Sequence, residues 1–436
     1  MRIALISEHA SPLATLGGVD AGGQNIYVAH VARALARAGH HVDVFTRRDE
    51  GALPPVVDVR PGVRVMHIPA GPPRFVPKEQ LLPHMGEFTH AAQRLFAASV
   101  PYDAIHANFF MSGLVGLRLQ ERFGVPLVMT FHALGLVRRE YQGAADAFPA
   151  ARIDIERRIV RQADSLIAEC PQDKSDLMRL YGASAARIAV VPCGVDREEF
   201  APGERAPARR RLGLADDEFV VLQLGRLVPR KGIDNVIRAV ARLDRALNAR
   251  LLVVGGDAPE PDERATPEIG RLRAIAAQCG IADRVSFTGQ RQRHQLRDCY
   301  LAADVFVTTP WYEPFGITPL EAMACGTPVI GSAVGGIKHS VLDGVTGFLV
   351  PPEDPPALAE RLVQLHASPL LRQAMGHAGV RRVRSLFTWD RIATELACIY
   401  QAVRRPLFAA APAGRLRLVA RAGVTLPDTR QQAGAH

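Results

Sequence analysis

A chain of 436 residues, 48% hydrophobic and 22% charged, is long enough for two domains with full cores and too apolar for a disordered polymer. Its net charge of +9 suits anionic small molecules or an anionic membrane surface. Nucleic acid is excluded as a partner, because aromatics are only 6% and the arginines are dispersed instead of clustered with them.

The N-terminus, Met1-Arg-Ile-Ala-Leu-Ile-Ser-Glu8, runs straight into a strand and is too short in apolar residues for a signal peptide. No uncharged stretch approaches a membrane span. The six cysteines have no paired spacing, which argues against zinc or a disulfide framework and for a reduced, cytoplasmic setting. Short runs of β-formers then alternate with amphipathic helical runs. Strands are predicted at Ile3–Ile6, Val42–Thr46, Val63–Ile68, Ala104–Ala107, Leu127–Phe131, Ser165–Ala168 and Ile188–Val191. After a Pro- and Arg-rich segment, Phe200 to Arg211, the alternation resumes with Val220–Leu224, Leu251–Val254, Val285–Thr288, Val305–Thr308 and Val329–Ile330. Two α/β domains of Rossmann type follow, facing across a cleft. Residues 1–200 form the first and residues 201–387 the second.

Between the first strand and helix lies Gly17-Gly-Val-Asp-Ala-Gly-Gly-Gln-Asn-Ile-Tyr27. Gly22 and Gly23 let backbone approach a ligand, and the helix starting near Gln24 offers its N-terminal amides. A dinucleotide fingerprint is ruled out: the G-x-G-x-x-G spacing is missing, and Arg47-Arg48 stand where an acidic residue should end the second strand. His132 sits at the C-terminal end of a strand, where open α/β sheets place ligands. In Leu224-Gly-Arg226-Leu-Val-Pro-Arg-Lys231-Gly, two cations project into a tight loop between glycines; Arg226 can grip phosphate oxygens in a bidentate way and Lys231 adds a point charge.

The run Glu313-Pro-Phe-Gly-Ile-Thr-Pro-Leu-Glu321 is a strand-to-helix turn with a carboxylate on each side. Thr318 is the expected N-cap, with Pro319 at the first helical position. Amides around Gly316, Ile317 and Thr318 would then face an anion. Ser332-Ala-Val-Gly-Gly336-Ile-Lys338-His339 predicts another glycine turn toward the same cleft. A final amphipathic helix covers residues 388–403, with Ile392, Leu396 and Ile399 on one face. The tail, 404–436, carries six Arg and one Asp in a Pro/Ala/Gly-rich segment that adds little to a fold and reads as flexible.

The paired glutamates, the intervening Pro-Phe-Gly and the trailing Ala-Cys-Gly-Thr-Pro-Val resemble the signature of retaining glycosyltransferases of family four, the sucrose-phosphate-synthase and glycogen-synthase kind. Asp20-Ala-Gly-Gly-Gln matches the sucrose-phosphate-synthase loop, and Ile6-Ser-Glu-His9-Ala-Ser-Pro-Leu13 is similar to the start of the mycothiol-pathway transferases that add N-acetylglucosamine to inositol phosphate. The resemblance implies a GT-B fold whose last helix crosses back onto the first domain. It also implies an enzyme that moves a hexosyl group from a nucleotide-diphosphate sugar, UDP-glucose or UDP-N-acetylglucosamine, to an acceptor hydroxyl on a small molecule, sugar or lipid carrier. Glu313 would touch the donor sugar and Glu321 the ribose. Arg226 and Lys231 would clamp the diphosphate, and His132 would lie against the reacting sugar. The loop with Asp20, Gly22, Gly23 and Asn25 would meet diphosphate and acceptor. Lys78 matches an acceptor-phosphate lysine of the mycothiol branch and Arg152 loosely matches its arginine, while Phe109 replaces a tyrosine and Ala133 a hydroxyl residue.

No Asp-x-Asp pair ends a strand, so no metal is expected, and no residue pattern supports an organic cofactor such as pyridoxal phosphate. A peripheral membrane contact fits the basic charge, and oligomeric state leaves no mark. The rival reading is a sugar- or membrane-surface-binding protein of the same fold without turnover.

Overall fold

A computed structural model describes residues 1–14 and 22–404 of the chain. The predicted site residue Asp20 and the basic tail beyond Arg404 lie outside the described residues. Eight strands form the first sheet: β1 (Arg2–Ile6), β2 (His41–Arg47), β3 (Val56–Arg60), β4 (Val63–Ile68), β5 (Ala104–Asn108), β6 (Leu127–Thr130), β7 (Ser165–Ala168) and β8 (Ile188–Val190). Six form the second: β9 (Phe219–Leu224), β10 (Ala249–Val254), β11 (Val285–Phe287), β12 (Val305–Thr308), β13 (Val329–Ser332) and β14 (Gly347–Val350).

The orders are β3-β4-β2-β1-β5-β6-β7-β8 and β11-β10-β9-β12-β13-β14. All pairings are parallel except β3 with β4, where Val57 faces Val65. Helices cover both faces of each sheet, so the inner strands are buried along nearly their whole length, as a doubly covered parallel sheet requires. Alternate side chains go to opposite faces: Ile3 and Leu5 enter one apolar cluster, Ala4 and Ile6 another. Two strands went unpredicted. β3 lies at a sheet edge with its residues alternately exposed and half-buried, and the four-residue β14 opens on Gly347, a poor strand former.

One apolar cluster takes Ile3 and Leu5 from the first sheet, Val220 and Leu222 from the second, and Trp389, Ile392 and Leu396 from the last helix, Trp389–Val403. That helix packs on Gly23–Arg37, the helix after β1. Trp389 stacks on His30 at 5.2 Å, and the Tyr400 hydroxyl shares a hydrogen bond with His106 Nδ1 at 2.7 Å. The chain therefore returns to the first sheet, the GT-B arrangement, with each large buried side chain stabilising that contact by about 1.5–3 kcal/mol.

Among the parallel strands of each sheet the order reverses once, between β1 and β5 in the first and between β9 and β12 in the second. Chains leaving a parallel sheet at such a point diverge to opposite faces and open a crevice at the strand ends. Residues just beyond β1, β5, β9 and β12 line one shared cleft.

Candidate active site

The cleft has a volume of about 510 Å³. Apart from Arg152, the predicted site residues that the structure describes line it: Gly22, Gly23, Asn25, Lys78 and His132 from the first sheet's side, and Arg226, Lys231, Glu313, Gly316, Ile317, Thr318 and Glu321 from the second's. The two sides come close. A Cβ built on Gly23 would lie 3.7 Å from Ile317 Cδ1.

Beyond β9 the chain makes one 3-10 turn, Pro229–Lys231, and leaves it through Gly232 at φ 63°. A side chain at Gly232 would put its Cβ 2.1 Å from the Thr309 carbonyl oxygen, so only glycine lets the cationic loop pack against the end of β12. Lys231 Nζ ion-pairs with Glu313 Oε2, and Arg230 Nη1 lies 3.6 Å from the same oxygen. Burial works to raise the Glu313 carboxyl, but Lys231, Arg230 and Arg226 outweigh it and bring it down to about 2. Burial, joined by Arg230 and Arg226, lowers the Lys231 ammonium more than Glu313 restores it, so it stands below its ordinary value. The result is a carboxylate held ionised beside a concentration of positive charge.

Glu321 is only 2% exposed. Arg293 Nη1 donates to its Oε1 at 3.1 Å and the Tyr300 hydroxyl to its Oε2 at 2.9 Å. The helix here is Thr318–Ala324, and its cap is Ile317, not Thr318 as predicted. Gly316, at φ 88°, makes the turn, and Ile317 already has helical dihedrals, so the Thr318 hydroxyl caps nothing.

The Gly335-Gly336 pair serves this loop from below. A Cβ on Gly335, at φ 43°, would sit 1.8 Å from the Glu313 carbonyl oxygen, and one on Gly336 would sit 2.4 Å from Phe315 Cα. Gly336 N–H donates to that same Glu313 carbonyl at 3.2 Å. Gly335→Ala should therefore push the Glu313 backbone aside and destabilise the fold by about 1–3 kcal/mol. Thermal unfolding checks this, and an unchanged midpoint would show the loop to be freer than the packing requires. Lys338 reaches away from the cleft's centre, its Nζ donating to Gln172 Oε1 at 3.2 Å.

On the first sheet's side, His132 has φ 56° and Phe109 φ 79°, both unusual for residues with side chains, and both at the cleft wall. Backbone strain of this kind gathers at binding sites. His132 Nδ1 lies 3.0 Å from Glu169 Oε1 and Nε2 3.0 Å from Asn108 Oδ1. Asn108 Nδ2 in turn points at the Ile6 and His106 carbonyls, which fixes its oxygen toward the histidine. Burial works to raise the Glu169 carboxyl, and the His132 ring and the Cys193 thiol outweigh it and hold it below its usual value. His132 is thus a ring clamped at both nitrogens.

Asn25 spends its amide on the protein, accepting from Gly22 N–H at 3.0 Å and donating to the Ser11 carbonyl at 3.0 Å. Arg152 does not line the cleft: it is buried, paired with Glu156 at 2.7 Å and bonded to the Ala133 carbonyl, with Phe109, Phe110 and Phe148 around its guanidinium. Asn108, Glu169, Arg230, Arg293 and Tyr300 complete the site and were not predicted. Arg230, next to Lys231 in the quoted loop, was open to recognition; the others lack a local signal.

Residues 21–199 match the family model described as Glycosyltransferase Family 4, and residues 204–382 the one described as Glycosyl transferases group 1. The D-inositol 3-phosphate glycosyltransferase of Geodermatophilus obscurus is 41% identical over 415 residues, covering 94% of this chain and 91% of that protein. Among solved structures, sucrose-phosphate synthase from Thermosynechococcus elongatus superposes with a TM-score of 0.84 at 38% identity, covering 92% of this chain and 98% of that one. Anabaena HepE, solved with UDP and glucose, shares the fold with a TM-score of 0.70 at 23% identity, covering 92% and 100%.

Proposed function

This chain belongs to the family 4 glycosyltransferases and is an enzyme using a nucleotide-sugar donor, and from that premise we propose that it moves glucose or N-acetylglucosamine from a UDP-sugar to an acceptor hydroxyl with retention of anomeric configuration. The carrying observation is the cluster of Lys231, Arg230 and Arg226 around Glu313, at the second sheet's switch point and on the same cleft as His132. As the bond from the anomeric carbon to the diphosphate oxygen breaks, negative charge grows on that oxygen. Fixed cations in a half-buried cleft stabilise it without reorganising. The acceptor oxygen forms its bond to the anomeric carbon from the face the diphosphate leaves, and its proton passes to the departing phosphate oxygen. Glu313 orients the sugar hydroxyls, His132 packs against the sugar, and Glu321 accepts from the ribose. Lys78 lines the cleft on the first sheet's side, which supports placing the acceptor there. Its position and the names of the relatives support a polyol or sugar acceptor, phosphorylated or free.

The test is a matrix of nucleotide sugars against inositol, sugars and their phosphates, with nucleoside diphosphate release and acceptor mass measured together. A gain of one hexosyl unit on an acceptor is expected. Tight nucleotide binding without release across the whole panel would sink the proposal. Since side-chain cations neutralise the diphosphate, turnover should also survive excess EDTA; a loss restored by magnesium would overturn that assignment.

A further inference from the structure

We propose that Arg293 and Tyr300 are positioning residues that aim Glu321 at the ribose diol, and so decide whether the enzyme accepts ribonucleotide over deoxyribonucleotide donors. The inference rests on the reading of Glu321 as the ribose-binding group. Its basis is how completely the carboxylate is held. Arg293 takes one lone-pair position on Oε1 and Tyr300 one on Oε2, at 3.1 and 2.9 Å. An ionised carboxylate has about four such positions, two on each oxygen, so each oxygen keeps one. Two acceptors joined at one carbon, with Glu321 on the cleft wall, complement two adjacent hydroxyl donors.

The two holders are themselves fixed. The Arg293 Nε donates to Glu199, in the segment joining the two sheets, and the guanidinium lies 5.0 Å over the Phe200 ring. Tyr300 is fully buried, and its ring meets Phe200 and Phe306 edge-on at 5.8 and 5.6 Å. Neither guanidinium nor phenol can swing without losing a partner in a setting where an unsatisfied polar group is costly. Arg293 also ties Glu321 to the linker through Glu199, so donor recognition and the joint between the sheets share one ion-pair chain.

Competition by UDP, 2′-deoxy-UDP and 3′-deoxy-UDP against the sugar donor, on the full chain, tests this. The wild type should favour UDP by roughly ten- to hundredfold for each hydroxyl removed, the range expected for a bond to a charged acceptor. Tyr300→Phe deletes one hydroxyl from an otherwise unchanged buried ring; it should raise donor KM and shrink the preference severalfold with kcat close to wild type. Arg293→Met should abolish the preference, and Arg293→Lys should restore part of it. A folded Tyr300→Phe and a folded Arg293→Met that both keep the full preference would overturn the positioning role. A wild type that treats UDP and its deoxy forms alike would instead remove the ribose from Glu321, and the inference with it.

Discussion

Lys231→Met should lower kcat and kcat/KM together, by on the order of a hundredfold or more. The side-chain length is roughly kept, so what disappears is the charge nearest Glu313. If the ammonium acted equally on bound donor and transition state, the loss would fall on KM instead. The structure adds a second readout. Glu313 has an ordinary value of 4.5 and stands at about 2 in the fold. A depressed carboxylate contributes stability that is fully present above its unfolded value and lost as pH falls through its folded one, here from 4.5 toward about 2. Without Lys231, Arg230 at 3.6 Å and Arg226 still hold the carboxylate down, but less. The folded value rises, and acid unfolding should begin at a higher pH. Near neutral pH the remaining cations keep the fold intact, so nucleotide release and thermal unfolding measured side by side separate chemistry from stability. Near-normal turnover, or an activity loss matched by unfolding, would take Lys231 out of the site.

Glu321→Ala should weaken nucleotide binding by roughly a hundredfold or more, since it removes two hydrogen bonds to a charged acceptor that contribute about 1.5–3 kcal/mol each. The effect belongs mainly in donor KM, because the ribose is distant from the reacting carbon and is bound alike before and during transfer. Arg293 keeps Glu199 in this variant, while the buried Tyr300 hydroxyl loses its acceptor. A stability loss of about 1–3 kcal/mol should accompany the change. Calorimetric titration with UDP measures the first effect and thermal unfolding the second. Unchanged UDP affinity in a folded variant would reject the ribose assignment.

What the sequence by itself determined is what repeats or adjoins locally. The inner strands are mostly apolar runs, because a sheet covered on both faces buries nearly every residue, and they appear within a residue or two of their predicted ends. The Glu313-to-Glu321 turn and the Arg226-to-Lys231 loop were legible for a related reason: their glycines and charges stand side by side, and the fold delivers both to one cleft. Tertiary structure alone decided who holds those groups in place. Arg293 is 28 residues from Glu321 and 94 from Glu199, and Glu169 is 37 from His132, separations across which no periodicity carries information. Arg152 makes the opposite case: its type and approximate place suited a phosphate, but the helical turn that sets Glu156 four residues on, together with three phenylalanine rings, turned it into a buried internal pair. Strand and helix patterns follow from the water each local face must avoid. The partner of a buried charge follows from whichever distant segment the completed fold brings within about 3 Å of it.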